Sequence, residues 1–179
     1  MEQAIVSRIT SSAARTRLDP QHASAHIDRL FRAAWALCGS RQDAEDLVQE
    51  TYARVLAKPR FLRNEDDLGY LLRTLRNTFL NQKRTESRRL RTAPLPDEHL
   101  DMVSDPHATD PAAAVEAGEV YAAVAALPAD YRDVLVAVDV TGLSYKETAR
   151  ALRIPEGTVM SRLYRARQQV VRQVEGEPE

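Results

Sequence analysis

Aromatic residues make up only 6% of this chain of 179 residues. Sheet-built domains lean on aromatic and β-branched side chains, and Ala, Leu, Val and Arg dominate here instead, a mixture that favours helices. A single cysteine, Cys38, excludes an internal disulfide framework and suits a reducing compartment. No apolar run approaches the length of a membrane span, and the N-terminus lacks the apolar core of a signal peptide. These absences describe a soluble protein, expected in the cytoplasm.

The chemistry of catalysis is also missing. No Gly-rich phosphate loop and no nucleophile–histidine–acid pattern appears. His22, His26, His99 and His107 are scattered, and with one cysteine they form no metal set; His22 and His26 share helical spacing but read as a surface pair. The carboxylates from Asp43 to Glu50 have nothing around them to complete a hydrolytic metal site. The expectation is a protein that is not an enzyme and carries no cofactor.

A third scarcity is local. Between Thr92 and Asp130 there is no Lys or Arg, against eight acids, whereas residues 1–91 carry 17 basic and 11 acidic residues. The remainder is nearly balanced, so the overall net charge of −1 conceals a segregation. Charge segregation speaks of partners, not of fold: two contact modules separated by an acidic spacer.

Hydrophobic spacing supplies the elements. Residues 1–18 suggest a weak helix stopped by Asp19-Pro20. Ile27, Leu30, Phe31, Ala34, Leu37 and Cys38 recur at helical spacing, with Gly39 as the stop. A second helix opens with Ser40 as N-cap, carries the stripe Ala44, Leu47, Val48, Thr51, Val55 and Leu56, and ends at Pro59. "RFLRNEDD" reads as a polar loop, with Asp66 or Asp67 capping a long helix lined by Leu68, Leu71, Leu72, Leu75 and Phe79. Three helices with short links bury a common core. "TAPLPDEHLDMVSDPHATDP", with four prolines, reads as an extended linker.

Beyond it lie two helices punctuated by Pro128 and Gly142. A short helix follows, opened by a Ser144/Glu147 capping box; after the turn "RIPE" a final helix starts near Gly157. Short helix, tight turn, second helix is the helix-turn-helix layout. The fold class expected is all-α, two small helical domains joined by an acidic, Pro-rich linker, the second a helix-turn-helix. The boundaries are an extension over 1–23, a first domain over 24–91, the linker over 92–111 and the second domain over 112–174.

Two helices carry the binding chemistry. In the final one, Val159, Leu163, Ala166 and Val170 make the apolar stripe, leaving Thr158, Ser161, Arg162, Arg165 and Arg172 to project elsewhere. The second helix of such a motif enters the major groove, where guanidiniums read guanine or hold phosphates and hydroxyls reach either. In the first domain, Arg73, Arg76, Lys83, Arg84, Arg88, Arg89 and Arg91 are interleaved with Asn77, Asn81 and Gln82, a combination of phosphate neutralisers and base readers. The helix before it has Asp43, Glu45, Asp46, Gln49 and Glu50 in its first turns. Helix-dipole energetics favour acids there, but so acidic a surface repels DNA and suits a protein partner. These features leave open a stand-alone regulator binding duplex DNA as a dimer, or a purely structural interaction protein.

The motifs in sequence resemble the extracytoplasmic-function sigma factors, initiation subunits of bacterial RNA polymerase. "DAEDLVQETYARVL" is similar to the family's core-polymerase-binding helix. "LGYLLRTLRNTFLNQKR" resembles its −10-element segment, and "GLSYKETARALRIPEGTVMSRLYRARQQV" its −35-reading helix-turn-helix. The resemblance implies that Asp46, Gln49 and Glu50 contact the clamp coiled coil of the polymerase's largest subunit. It implies that Asn77, with the loop from Arg60 to Asp67, takes up an extruded −10 base, while Asn81, Lys83 and Arg84 follow the same strand. Thr158, Ser161, Arg162, Tyr164 and Arg165 match the −35 contact positions. The implied partners are core polymerase, promoter DNA and an anti-sigma factor, with no membrane insertion. Tyr70 stands where the family has tryptophan, Met160 where a basic residue is common, and Asn81 where aspartate is frequent. The tail before Ser24 has no counterpart.

Overall fold

The computed structural model describes residues 15–17, 23–57, 61–63, 67–90 and 111–175. The described residues are helical almost throughout, in seven α-helices with one short two-stranded ribbon. Residues 92–110 of the expected linker and the first fourteen residues lie outside them, as do His22, Pro59, Asp66 and Arg91, whereas Pro111, expected as the linker's last residue, is helical.

Helix α1 (Ile27–Cys38) is the hub. Leu30, Ala33, Ala34, Trp35, Ala36 and Leu37 are all buried, more of its circumference than one apolar stripe covers. A helix apolar nearly all round must be enclosed, and α1 is packed on one side by the first half of the chain and on the other by the second. Ile27, expected in the stripe, is instead 50% exposed at the helix's first residue. Gly39 ends α1 at φ 75°, its N–H donating to the carbonyl of Trp35, the left-handed cap that glycine adopts without strain.

Ser40 then starts α2 (Arg41–Ala57). Its hydroxyl accepts from the Asp43 N–H at 3.4 Å. Ala44, Leu47, Val48, Thr51 and Val55 are buried, but Leu56 is 47% exposed. It follows Val55 by a single residue, a rotation of about 100° that carries it off the stripe. Helix α3 (Asp67–Leu90) buries Leu68, Leu71, Leu72, Leu75, Thr78 and Phe79; residues 81–89 are all exposed. Its last turns therefore extend beyond the core.

Two sequence expectations fail outside these helices. Residues 15–17 are not helical but form strand β1 (Arg15–Arg17), and the expected loop contains strand β2 (Phe61–Arg63). The two pair antiparallel, with Arg15 opposite Arg63, Thr16 opposite Leu62 and Arg17 opposite Phe61. Strand pairing between segments so far apart leaves no local signature.

The second half begins with α4 (Pro111–Ala126) and α5 (Ala129–Leu135), the latter following Pro128. Helix α5 runs on into a π-helical segment, Val136–Val140, before Gly142 turns the chain at φ 76°. Helix α6 (Tyr145–Leu152) has the expected capping box: the Ser144 hydroxyl accepts from the Glu147 N–H while the Glu147 carboxylate accepts from the Ser144 N–H at 2.8 Å. Arg153 closes α6 in the left-handed region at φ 58°, a place the sequence does not mark because no glycine stands there. Pro155 opens α7 (Glu156–Glu175), its carbonyl accepting from Thr158 and Val159. Val159, Leu163 and Ala166 are buried and Val170 is half-buried, as the spacing predicts.

The two halves pack directly on each other. Trp35 of α1 stacks on Tyr121 of α4, ring centroids 4.5 Å apart. The Arg76 guanidinium of α3 donates to Asp133 of α5 at 2.5 Å, and Arg132 lies over the Phe79 ring at 5.2 Å. Arg73 reaches across to α6, donating to the carbonyls of Ala151 at 2.9 Å and Arg150 at 3.0 Å.

Candidate nucleic-acid interface

Position on α7 decides which side chains face outward. With Val159, Leu163 and Ala166 in the core, Thr158, Ser161 and Arg165 fall on the opposite arc by the helical period, and Tyr164 adjoins them. Tyr164 is 67% exposed and Met160 56%. Exposed apolar groups are ordinary on a helix surface; in a major groove these two would meet thymine methyls, which offer apolar contact. Ser161 turns its hydroxyl back to the Thr158 carbonyl at 3.2 Å.

The two arginines beside this arc each have a surface partner. Arg162 pairs with Asp130 at 2.6 Å, and Arg165 donates to the Tyr131 hydroxyl at 3.4 Å. Both partners come from the start of α5, so that turn positions the guanidiniums of α7. Arg167, not among the expected contacts, makes a two-pronged bond to Asp139 at 2.9 and 2.6 Å. It ties α7 to the π segment.

On α3, Asn77, Asn81 and Arg84 are exposed and lie on one face, opposite Leu68, Leu71, Leu75 and Phe79 by the helical period. Lys83 lies off that face, more than a quarter-turn from Asn77 and Asn81 by the helical period, and pairs with Glu86 at 3.0 Å. Arg73 and Arg76, which sequence spacing groups with the nucleic-acid binders, instead hold the second half of the molecule. The signal that could have found this is Asp133, an acid leading the apolar run Val134–Ala137. Burial pushes its carboxyl above the ordinary range, and Arg76 beside it draws it part of the way back. A buried carboxylate needs a cation, and Arg76 supplies it. Burial likewise lowers the Arg132 guanidinium.

On α2, Asp46 and Gln49 are exposed, and Glu50 pairs along the helix with Arg54 at 2.6 Å. Asp43 and Glu45 are exposed beside them, leaving an acidic first half of the helix open to solvent. Between this surface and the exposed end of α3 lies a cavity of about 510 Å³, lined by Asp43, Asp46, Asn81 and Lys83 together with Cys38 and Phe79 among others. The cavity thus brings Asp46 together with Asn81 and Lys83, while Gln49, Glu50, Asn77 and Arg84 are not in its lining. The Thr158–Arg165 group occupies a separate place. Among the described residues no group of three or more His, Cys, Asp or Glu gathers as a metal site, and no helix is long and apolar enough to cross a membrane. Of the loop from Arg60 to Asp67, only β2 and Asp67 are described.

Comparison with known proteins bears on the family. Residues 23–89 match the family model for sigma-70 region 2, and residues 117–170 that for sigma-70 region 4. The chain is 37% identical over 148 residues to the ECF RNA polymerase sigma factor SigE of Mycolicibacterium smegmatis, covering 81% of this chain and 57% of that protein's length. It is 34% identical over 144 residues to EcfG of Rhodopseudomonas palustris, covering 80% and 77%. Among solved structures it superposes on the sigma factor RpoE bound to the anti-sigma factor NepR from Bartonella quintana, with a TM-score of 0.71 at 24% identity over 88% of this chain and 97% of that one. CnrH bound to the cytosolic domain of CnrY gives 0.59 at 22%, over 88% of each. With both regions matched in order, the chain belongs to the sigma-70 family, within its extracytoplasmic-function group of RNA polymerase sigma factors.

Proposed function

We propose that this chain is a promoter-recognition subunit that binds core RNA polymerase and directs it to promoters through −35 and −10 elements. The observation that carries the proposal is the pairing of two unlike DNA-suited faces in one chain. One is the α7 arc of Thr158, Ser161, Arg162, Tyr164 and Arg165, which suits a duplex major groove. The other is the α3 face of Asn77, Asn81 and Arg84, whose amides suit unstacked bases, with Lys83 projecting from a neighbouring face of the same helix. An extruded base costs a few kcal/mol to remove from the stack, which contacts from Asn77 offset. Asp46, Gln49 and Glu50 form the polymerase-binding surface on α2, an acidic patch that DNA avoids and a basic protein partner favours.

Region 2 function falls to residues 24–91, region 4 function to 112–174, and residues 92–111 connect them. The activity is binding and strand opening without covalent chemistry, carried out in the cytoplasm where polymerase and DNA are. The sigma factor RpoE is bound to the anti-sigma factor NepR in its solved structure, and an anti-sigma factor is the regulatory partner proposed here. An open apolar cavity of about 500 Å³ between Arg32 of α1, Val120 and Val124 of α4, and Val170 and Val171 of α7 is a suitable place for it.

Run-off transcription with core polymerase on a promoter library tests the reading. Promoter-specific transcripts should appear only with the chain present, and disappear with Asn77→Ala or Arg162→Ala. A discrete footprint on duplex DNA by the chain alone, with no stimulation of polymerase, would identify a stand-alone regulator instead.

A further inference from the structure

Arg73 stands on α3 four residues before Asn77, a rotation of about 40° by the helical period. It therefore shares the outward face of Asn77, Asn81 and Arg84, one turn nearer the start of the helix. Unlike those three it is half-buried, because the end of α6 meets it. Its Nε donates to the Ala151 carbonyl at 2.9 Å and its Nη2 to the Arg150 carbonyl at 3.0 Å. Both oxygens belong to the last turn of α6, which ends at Leu152. Carbonyls there lack a partner within their own helix, and the helix dipole gathers about half a negative charge on them. Two oxygens side by side under partial negative charge are what a phosphate presents with a full charge, and an arginine fork takes a phosphate in the same two-pronged way. Arg76 differs, since its guanidinium is already taken by the buried carboxylate of Asp133. Among the described residues Arg73 pairs with no carboxylate, so its charge is left for an anion.

We propose that Arg73 is a phosphate contact of the −10 face, gripping the backbone of the single DNA strand whose bases Asn77 and Asn81 take up, and that the end of α6 occupies this phosphate site in the closed molecule. DNA and α6 then compete for one guanidinium. Hydrogen bonds between two charged groups are roughly twice as strong as neutral ones, so the strand displaces the carbonyls, which turn to water as α6 leaves. The contact adds affinity without base preference, since phosphate contacts position a protein and carry no sequence information. It rests on the reading of α3 as the −10 surface.

The test uses the full chain assembled with core polymerase and a fork-shaped promoter DNA with a single-stranded −10 segment. Binding is measured across a range of salt concentrations. Each phosphate contact to a single strand contributes about 0.7 to the slope of log K against log salt, which over a tenfold change of salt is about fivefold in affinity. R73Q should flatten the slope by that amount and weaken low-salt binding roughly fivefold, with −10 base preference unchanged. R73K, which keeps the charge, should restore the slope. A latch that never touches DNA gives the opposite sign: its loss frees the open form, and binding tightens or stays level. In a second assay, methylphosphonates neutralise the single strand one linkage at a time. One linkage should weaken wild-type binding severalfold and leave R73Q binding unaltered. If the wild-type assembly binds the fork while R73Q keeps both slope and affinity, Arg73 is a latch alone and the proposal fails. A scan in which no linkage separates the two proteins also overturns it. A wild-type assembly that ignores the fork overturns the reading of α3 together with the contact.

Discussion

Cys38 stands at the last residue of α1, half-buried near Asp43. Burial, with help from Asp43, pushes its thiol up to about 12, against the opposing pull of Lys83 and Arg132. The thiolate is the reactive form, so Cys38 should react with a disulfide reagent at pH 7.5 far more slowly in the native chain than after denaturation; equal rates would show an open thiol. The same shift has a thermodynamic sign. A thiol whose native pKa is raised contributes stability that is complete below its ordinary value near 9.0 and is lost as pH climbs towards 12. Melting temperature should fall across that window, and less steeply in Cys38→Ala. Arg162 illustrates the opposite case. Its partner Asp130 is 62% exposed, and exposed pairs contribute about 0–1 kcal/mol, so Arg162 is released at little cost. Asp130→Ala should leave stability within about 0.5 kcal/mol and tighten binding to −35 duplex, as a filter-binding titration would show.

Single elements were legible where their signals are local. The Gly39 stop, the Ser40 cap, the stripes of α2 and α3 and the Ser144/Glu147 box could all be read from a few neighbouring residues. Ile27 and Leu56 were misplaced because a stripe's edges depend on what packs beside it. The left-handed Arg153 and the π segment at Val136–Val140 left no trace, since neither needs a special residue. The ribbon and the grip of Arg73 and Arg76 escaped because they join segments far apart in the chain. At the candidate site, the outward arc of α7 followed from periodicity, whereas the pairing of its arginines with Asp130 and Tyr131 required the tertiary packing. The capping box makes a quantitative forecast: Ser144→Ala should cost about 1 kcal/mol in thermal or denaturant unfolding. Ser144 also holds the Glu147 carboxyl below its ordinary range, first through its side chain and then its backbone. That contribution is present above the ordinary carboxylate pKa and lost as pH falls through the native one. The difference between wild type and Ser144→Ala should therefore shrink in acid.

As a whole molecule, the described structure is closed. Helices α3 and α6 are joined through Arg73, and α3 and α5 through Arg76 and Asp133. Promoter elements at −35 and −10 are about 25 base pairs apart, on the order of 85 Å of duplex at 3.4 Å per step. If the two halves read those elements as proposed, a molecule in which Arg73 touches Ala151 does not span that distance, and promoter engagement requires the halves to part. Spin labels on α3 and α7 should report a short separation in the free chain and a longer one with polymerase and promoter bound; an unchanged distance would show that the closed form binds DNA. Arg76→Ala leaves Asp133, 7% exposed, without its cation. Stranding a partly screened carboxylate in this way should cost about 2 kcal/mol and lengthen the separation in the free chain, whereas Asp133→Asn, which removes the charge, should do less.

Arg73 takes hold of α6 by main-chain oxygens alone, at Arg150 and Ala151. Every amino acid carries such an oxygen, so side chains of the reading domain can be exchanged without erasing this attachment. A lineage altering those side chains to serve new promoters would thus keep the folded-together state by inheritance, leaving target choice and closure to evolve separately.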